Sequence, residues 1–427
     1  MSSRAVLTSV LLLHLLVSPA CAQKGQPASS APEKTEQTKS AQPRLARYEI
    51  KPESLPAPNL EEGEATNPPT LVARPAGAGF LLPPNFEIST FAEGDFRNPR
   101  WLALAPNGDI FLADSEANTI RVLRDTNGDG KADERFVFAD SLAQPFGMAF
   151  WKNYLYVANT NAIVRFRYRP GQTRADGEPE KVADLPGQGY NQHWTRNIIF
   201  NTDGTKLYAT VGSQSNVSVE AEPMRAAITE FNPDGTGKRI YAGGLRNPVG
   251  LAFYPGTQTL WTTVNERDRV GDDLVPDYLT SVRDGGFYGW PYSYVGPNED
   301  PRRKGERPDL VKKAIVPDVL IQAHSAALGL VFYEGKMFPE EYRGSALVAL
   351  RGSWNRTRRT GYKLIRVPFK NGRPVGGYED FVLGWANDEN SREVWGRPVG
   401  LLVLPDGSLL ITDDGANKIW RVTYRAK

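Results

Sequence analysis

NPRWLALAPNGDIFLAD, residues 98–114, runs from a polar residue and a proline into an apolar stretch, turns on Pro-Asn-Gly-Asp and resumes as a strand with a polar end. The pattern returns as QPFGMAFWKNYLYVAN (144–159), TRNIIFNTDGTKLYATVG (195–212) and NPVGLAFYPGTQTLWTTVN (247–265). It returns again as ALGLVFYEGKMFPEEYRGSALVAL (327–350) and RPVGLLVLPDGSLLITDD (397–414), which makes six copies. The first starts lie about 46, 51 and 52 residues apart. A period of this length with several short strands per copy is the signature of propeller blades, so the expected fold is all-β, a six-bladed β-propeller.

The ends of the repeat region support this. NFEISTFAEGDFRNP (85–99) resembles DERFVFADSLAQP (133–145), so the domain opens with the outer strand of a blade, while the sixth copy has only three strands before the chain stops. The first strand is therefore expected to complete the last blade and leave no unpaired edge. Trp101, Phe146, Trp261 and Trp420 read as packing between blades, and the Gly and Asp of PNGD, NTDG and LPDG as turn residues. Chemistry in such a fold belongs at the mouth of the central tunnel.

Outward from the repeats, residues 1–22 read as a secretory signal: Arg4, an apolar run from Val6 to Val17, and Ala20-Cys21-Ala22 as the cleavage motif. Ser18 and Pro19 do not suit a lipidated Cys21, and the run is too short to cross a bilayer, so a periplasmic or secreted protein is expected. Cys21 is the only cysteine, which leaves the mature chain without disulfide or thiol chemistry. Residues 23–79, rich in Pro, Ala, Ser, Glu, Lys and Thr, are expected to form a disordered linker before a propeller spanning 80–427. Basic and acidic residues nearly cancel, 51 against 49, and no basic run alternates with aromatics, which argues against nucleic acid as a partner.

Of three histidines, His193 and His324 lie just before the first strands of two repeats, where a neutral imidazole could serve as a general base and where a buried structural histidine is the competing reading. Arg246 and Asn247 open the fourth repeat, and Asn265, Glu266, Arg267, Asp268, Asp272 and Asp273 crowd the loop after its second strand. That loop suits either a hard cation such as Ca²⁺ or a local Asp–Arg network. Arg351, Arg356 and Arg397 recur at later blades; arginines converging on one tunnel would hold a polyanion, with a surface salt bridge the simpler reading of Arg356. DTNGDGKADERF, from Asp125, has EF-hand-like spacing through Asp133, but its twelfth position is Phe136, so a polar hairpin is preferred.

The segments LRNPVGLAF, VNERDRVGDDLVPDYLTSV, GGFYGWPY, AHSAALGLVFY, GSWNR and WGRPVGL together resemble the soluble pyrroloquinoline quinone (PQQ) sugar dehydrogenases, in particular their sorbosone dehydrogenase branch, over residues 82–424. The resemblance implies His193 as catalytic base, Arg246 and Asn247 beside the quinone carbonyls, and a Ca²⁺ loop at Glu266, Arg267 and Asp268. It further implies cationic contacts to the PQQ carboxylates from Arg351 and Arg397, His324 near cofactor and sugar, and Gln144 near the base. Trp395 stands where that family carries another arginine. The implied reaction is hydride transfer from a sugar or aldehyde to the quinone, with the electrons passing to an acceptor such as a c-type cytochrome. A Ca²⁺-dependent six-bladed lactonase, which would hold the ion with side-chain carboxylates and Asn and not need the arginine cluster, and a non-catalytic NHL-type propeller, which would need neither histidine, are the rival readings.

Overall fold

The computed structural model describes residues 45–61, 65–187, 193–386 and 388–426. Six sheets begin with Pro99–Leu104, Met148–Trp151, Ile198–Phe200, Pro248–Phe253, Ala327–Phe332 and Pro398–Val403; each has four antiparallel strands, and the third and fifth carry one more, in the third Gly286–Phe287, parallel to Arg239–Gly243. These first strands pack side by side round a closed ring, so the six-bladed propeller stands. The sixth blade is completed by Phe86–Glu93, paired antiparallel with Lys418–Tyr424 from Phe86 opposite Tyr424 to Glu93 opposite Lys418. The ring is thus closed by the N-terminal strand.

The repeated glycine of the first strands follows from how closely the blades approach. A Cβ on Gly329 would lie 2.2 Å from Val399 O, one on Gly400 2.3 Å from Arg100 O, and one on Gly250 2.5 Å from Leu328 O. Side chains stitch the same seams. Thr263 donates to Leu328 O at 2.7 Å, Thr412 to Arg100 O at 2.8 Å, and in the third blade Asn197 Nδ2 to Val249 O at 2.8 Å. Second strands such as Ile110–Asp114, Leu260–Val264 and Ala346–Leu350 are buried at every position and carry apolar clusters between neighbouring blades. Trp101, Phe146, Trp261 and Trp420 all sit in those clusters.

The segment before the propeller departs from the expected disorder. Its described parts, 45–61 and 65–79, lie on the blades: Arg47–Tyr48 adds an edge strand to the fifth blade opposite Tyr378 and Glu379, and Thr70–Leu71 pairs with Glu393–Val394. Its few apolar and aromatic groups are well placed. Tyr48 stacks on Tyr378 at 4.9 Å, and at the propeller boundary Phe80 meets the rings of Trp385, Trp395 and Trp420 edge-on at 4.9–5.0 Å. Composition averaged over the segment hides these anchors. The signal sequence and residues 23–44 lie outside the described residues, and among those described no helix is long and apolar enough to cross a membrane.

Candidate active site

One register position builds the site. In blades one, four, five and six the residue after the second strand (Ser115, Asn265, Arg351, Asp414) donates its N–H to the carbonyl just before the first strand (Asn98, Asn247, Ala326, Arg397), at 3.0–3.1 Å. The side chains at these paired positions gather at one end of the ring, where a cavity of about 230 Å³ is lined by residues including Arg100, His193, Arg246, Asn247, Glu266, Asp268, His324 and Arg351.

His193 is buried, and its Nδ1 lies 3.0 Å from Ser213 O. Burial, with the nearby Arg246 charge, lowers its pKa to about 3. The ring is therefore neutral, and an Nδ1–H donated to the carbonyl leaves Nε2 as the basic nitrogen. Its loop is fixed by Arg196, whose buried guanidinium donates to His193 O at 2.7 Å, Thr195 O at 2.9 Å and Pro186 O at 2.7 Å. Gly212 makes room beneath: a Cβ there would lie 2.3 Å from Asn247 Oδ1 and 2.7 Å from His193 Cβ.

Asp268 is the hub of the fourth-blade loop. It accepts from Arg246 Nη2 at 2.8 Å and Asn355 Nδ2 at 3.0 Å, and the same Asn355 nitrogen lies 3.1 Å from His324 Nδ1. Burial would raise the Asp268 carboxyl, but the Arg246 charge and His324 outweigh it and hold the group well below the usual carboxylate range. His324 responds in kind: burial alone would lower its pKa, and Asp268 raises it. Asp277, fully enclosed behind the loop, is pushed up to about 7 by burial although it accepts from the N–H groups of Glu266 and Ala326.

Across the cavity, Arg100, Arg351 and Arg397 all bond one buried carboxylate, Asp414; Arg351 Nε reaches Oδ2 at 2.8 Å and Arg397 Nε reaches Oδ1 at 2.7 Å. Three guanidiniums on one carboxylate leave two positive charges in excess. Their crowding shows in Arg100, lowered to about 10 by burial together with the charges of Arg351 and Arg397. Arg100 also lies 5.1 Å from the ring of Trp194.

The structure therefore gathers His193, Arg246, Asn247, Glu266, Asp268, His324 and Arg351 round one cavity, with Arg397 joined through Asp414. Two of the expected residues fall elsewhere. Gln144 is exposed, and its backbone, with φ of 49°, is anchored through N–H to Asn118 Oδ1 instead of lining the cavity. Arg267 is wholly buried, turned away to Glu266, Pro291 O, Ser293 O and Asp300. Arg356 pairs with Asp273, the simpler reading, and Trp395 packs against Trp385 and Trp420. The Asp125 loop closes on itself, Asp125 accepting from the N–H groups of Gly128 and Gly130. Arg100, Asp414, Arg196 and Asn355 were not singled out from the sequence.

Comparison with known proteins matches this architecture. Residues 79–414 fit the family model described as Domain of unknown function (DUF7133). The chain belongs to this family. Within its reach, an uncharacterized protein of Borreliella burgdorferi is 28% identical over 366 residues, covering 83% of this chain and 93% of its own. The aldose sugar dehydrogenase YliI of Escherichia coli is 32% identical over 282 residues, covering 60% of this chain and 68% of its own, so the DUF7133 chain shares a family with that protein too. Among solved structures, the holo PQQ domain of pyranose dehydrogenase from Coprinopsis cinerea superposes with a TM-score of 0.68 at 18% identity, over 82% of this chain and 98% of its own, and shows the shared fold.

The donor sets in this family member can be tested against the groups that the resemblance implies. The arginine cluster, with its two uncompensated charges, fits a planar polycarboxylate such as PQQ. For Ca²⁺, the backbone carbonyls of Glu266 and Asp268 already accept from Arg246 and Arg302. However, Glu266 Oε1 and Asn247 Oδ1, both on residues that line the cavity, are buried without a hydrogen-bond partner among the described residues. Two unpaired oxygens, one of them anionic, suit a hard cation that completes its shell with water or a ligand. The residues that could hold such a cation are therefore Glu266 and Asn247, of which only Glu266 belongs to the expected three-residue run. Among the described residues no three His, Cys, Asp or Glu side chains come together as a metal cage.

Proposed function

We propose that this protein is a periplasmic or secreted PQQ-dependent dehydrogenase that oxidises an aldose or sugar aldehyde, sorbosone included, and passes the electrons to an acceptor such as a c-type cytochrome. The observation that carries the reading is the pairing, in one cavity, of a neutral and immobilised His193 with an arginine cluster of excess positive charge. PQQ, when bound, supplies a two-electron acceptor for hydride. Arg351, Arg397 and Arg100 would hold its carboxylates. Ca²⁺ held by Glu266 and Asn247 would supply Lewis-acid charge beside it.

The chain's own residues do the rest. His193 Nε2 takes the proton of the sugar hydroxyl, with Ser213 O holding Nδ1–H so that the ring does not turn. Arg246, fixed by Asp268 and Asn216, keeps that imidazole unprotonated in the resting site and presents positive charge to the oxyanion that develops. Asn355 couples Asp268 to His324, so substrate contacts at His324 are positioned by the same network. Support comes from the family shared with an aldose sugar dehydrogenase and from the fold shared with a PQQ domain. The test is spectroscopic: apo-protein given PQQ and Ca²⁺ should show reduction of the quinone when an aldose is added anaerobically. A chain that binds no PQQ, or whose bound quinone no aldose reduces, contradicts it.

A further inference from the structure

Every Phe, Tyr and Trp of the described residues is buried or half-buried except Trp354, which is 44% exposed and lines the cavity. An indole left in water forgoes the gain of burying it, and a loose loop would explain that simply. This loop is not loose. Ser353 N–H donates to Thr360 O at 3.0 Å, Tyr362 OH to Ser353 O at 2.7 Å, and Arg356 is tied to Asp273. The N-terminal segment grips it from outside: Asn67 N–H donates to Trp354 O at 2.9 Å, and Asn67 Nδ2 to Arg356 O at 3.0 Å and Thr357 O at 3.1 Å. The backbone under Trp354 is thus held on both sides while its ring stands open at the cavity, and the next residue, Asn355, holds Asp268.

We propose that Trp354 is the platform on which the ring of a cyclic sugar lies during oxidation, and that Asn67 is the positioning residue that sets it there. A pyranose or furanose has a face of C–H groups that covers an indole well, while an open-chain aldehyde offers no such face. The inference rests on the dehydrogenase reading and narrows its substrate to cyclic aldoses. It also gives the N-terminal segment a task that a tether lacks.

The test compares W354A, W354F and N67A with the unaltered protein, loaded with PQQ and Ca²⁺, using D-glucose and glyceraldehyde as substrates and a melting curve as control. W354A should raise KM for glucose about tenfold with kcat within about twofold, the size of one lost ring contact. W354F should restore most of that, N67A should raise KM about threefold, and KM for glyceraldehyde should not move. Equal changes for both substrates, or none in W354A, overturn the platform. If the unaltered protein oxidises neither compound, the dehydrogenase reading fails on its own, and glucose binding by saturation-transfer NMR decides the platform. Transfer lost in W354A supports it; transfer kept in W354A, or absent in the unaltered protein, overturns it.

Discussion

Replacing Asp414 by Asn keeps the shape of the side chain and removes the one carboxylate that Arg100, Arg351 and Arg397 share. Asp414 is fully buried as a side chain, so the loss is that of one partner in a buried charge network, about 3–5 kcal/mol. For a domain of this size each kcal/mol moves Tm by about 1–2 °C, since the entropy of unfolding grows with chain length, so the expected fall is about 5 °C. Burial opposes the charge on Asp414, but the three arginines outweigh it and depress its pKa below the carboxylate range. A depressed folded-state pKa means that the stabilisation is complete above the unfolded value of about 4 and is lost as pH falls through the folded one. The gap between D414N and the unaltered protein should therefore persist at pH 7 and close only in strong acid. The same substitution should increase the uncompensated positive charge and tighten PQQ binding at low salt. Melting curves from pH 7 to 2, with PQQ titrations by fluorescence, read both effects. An unchanged Tm together with unchanged PQQ affinity would refute the assignment of Asp414 as the counter-charge.

Because burial and Arg246 lower His193 to about 3, the base is already neutral through the working range and should add no acid limb to kcat/KM from about pH 5 to 8, where Asp277 and His324 are the cavity groups that titrate; an acid limb near 6.5 that persists in both D277N and H324Q would contradict the assignment. Between these two values the unfolded chain binds the proton and the folded one does not, so His193 costs stability as pH falls from about 6.5. G400A, whose Cβ would meet Arg100 O at the seam between the last and first blades, should cost about 1–3 kcal/mol in urea unfolding, and a neutral result would mean the ring is looser than described. Adding Ca²⁺ should raise the Tm of the apo-protein, and E266Q should abolish most of that rise; an equal rise in both places the cation elsewhere.

The repeat made the fold legible because the blades impose similar demands on the chain: in four of the six a glycine where a neighbouring backbone comes within reach, and a buried second strand. Sites at the blade starts were legible for the same reason, since Arg246, Asn247 and Arg397 stand where a repeat opens, just before its first strand. Arg100 carried the same signal unread: it occupies the position held by Phe146, Val249 and Val399 in other repeats, and a charge at an apolar repeat position asks for a buried partner. That partner, Asp414, was concealed as the polar end of the sixth repeat. Asn355 and the N-terminal segment were opaque for a different cause, because their roles depend on contacts between distant loops, such as Asn67 with Trp354.

The proposed oxidation requires His193 to take the substrate proton as hydride passes to the quinone in a PQQ-loaded site. H193Q and the unaltered protein, each loaded with PQQ and Ca²⁺, should be mixed anaerobically with aldose in a stopped-flow spectrometer and the quinone absorbance followed. Both should bind PQQ equally, while reduction should be about 10²- to 10⁴-fold slower in H193Q, the contribution of a positioned base. Reduction at the same rate in both proteins would contradict the mechanism.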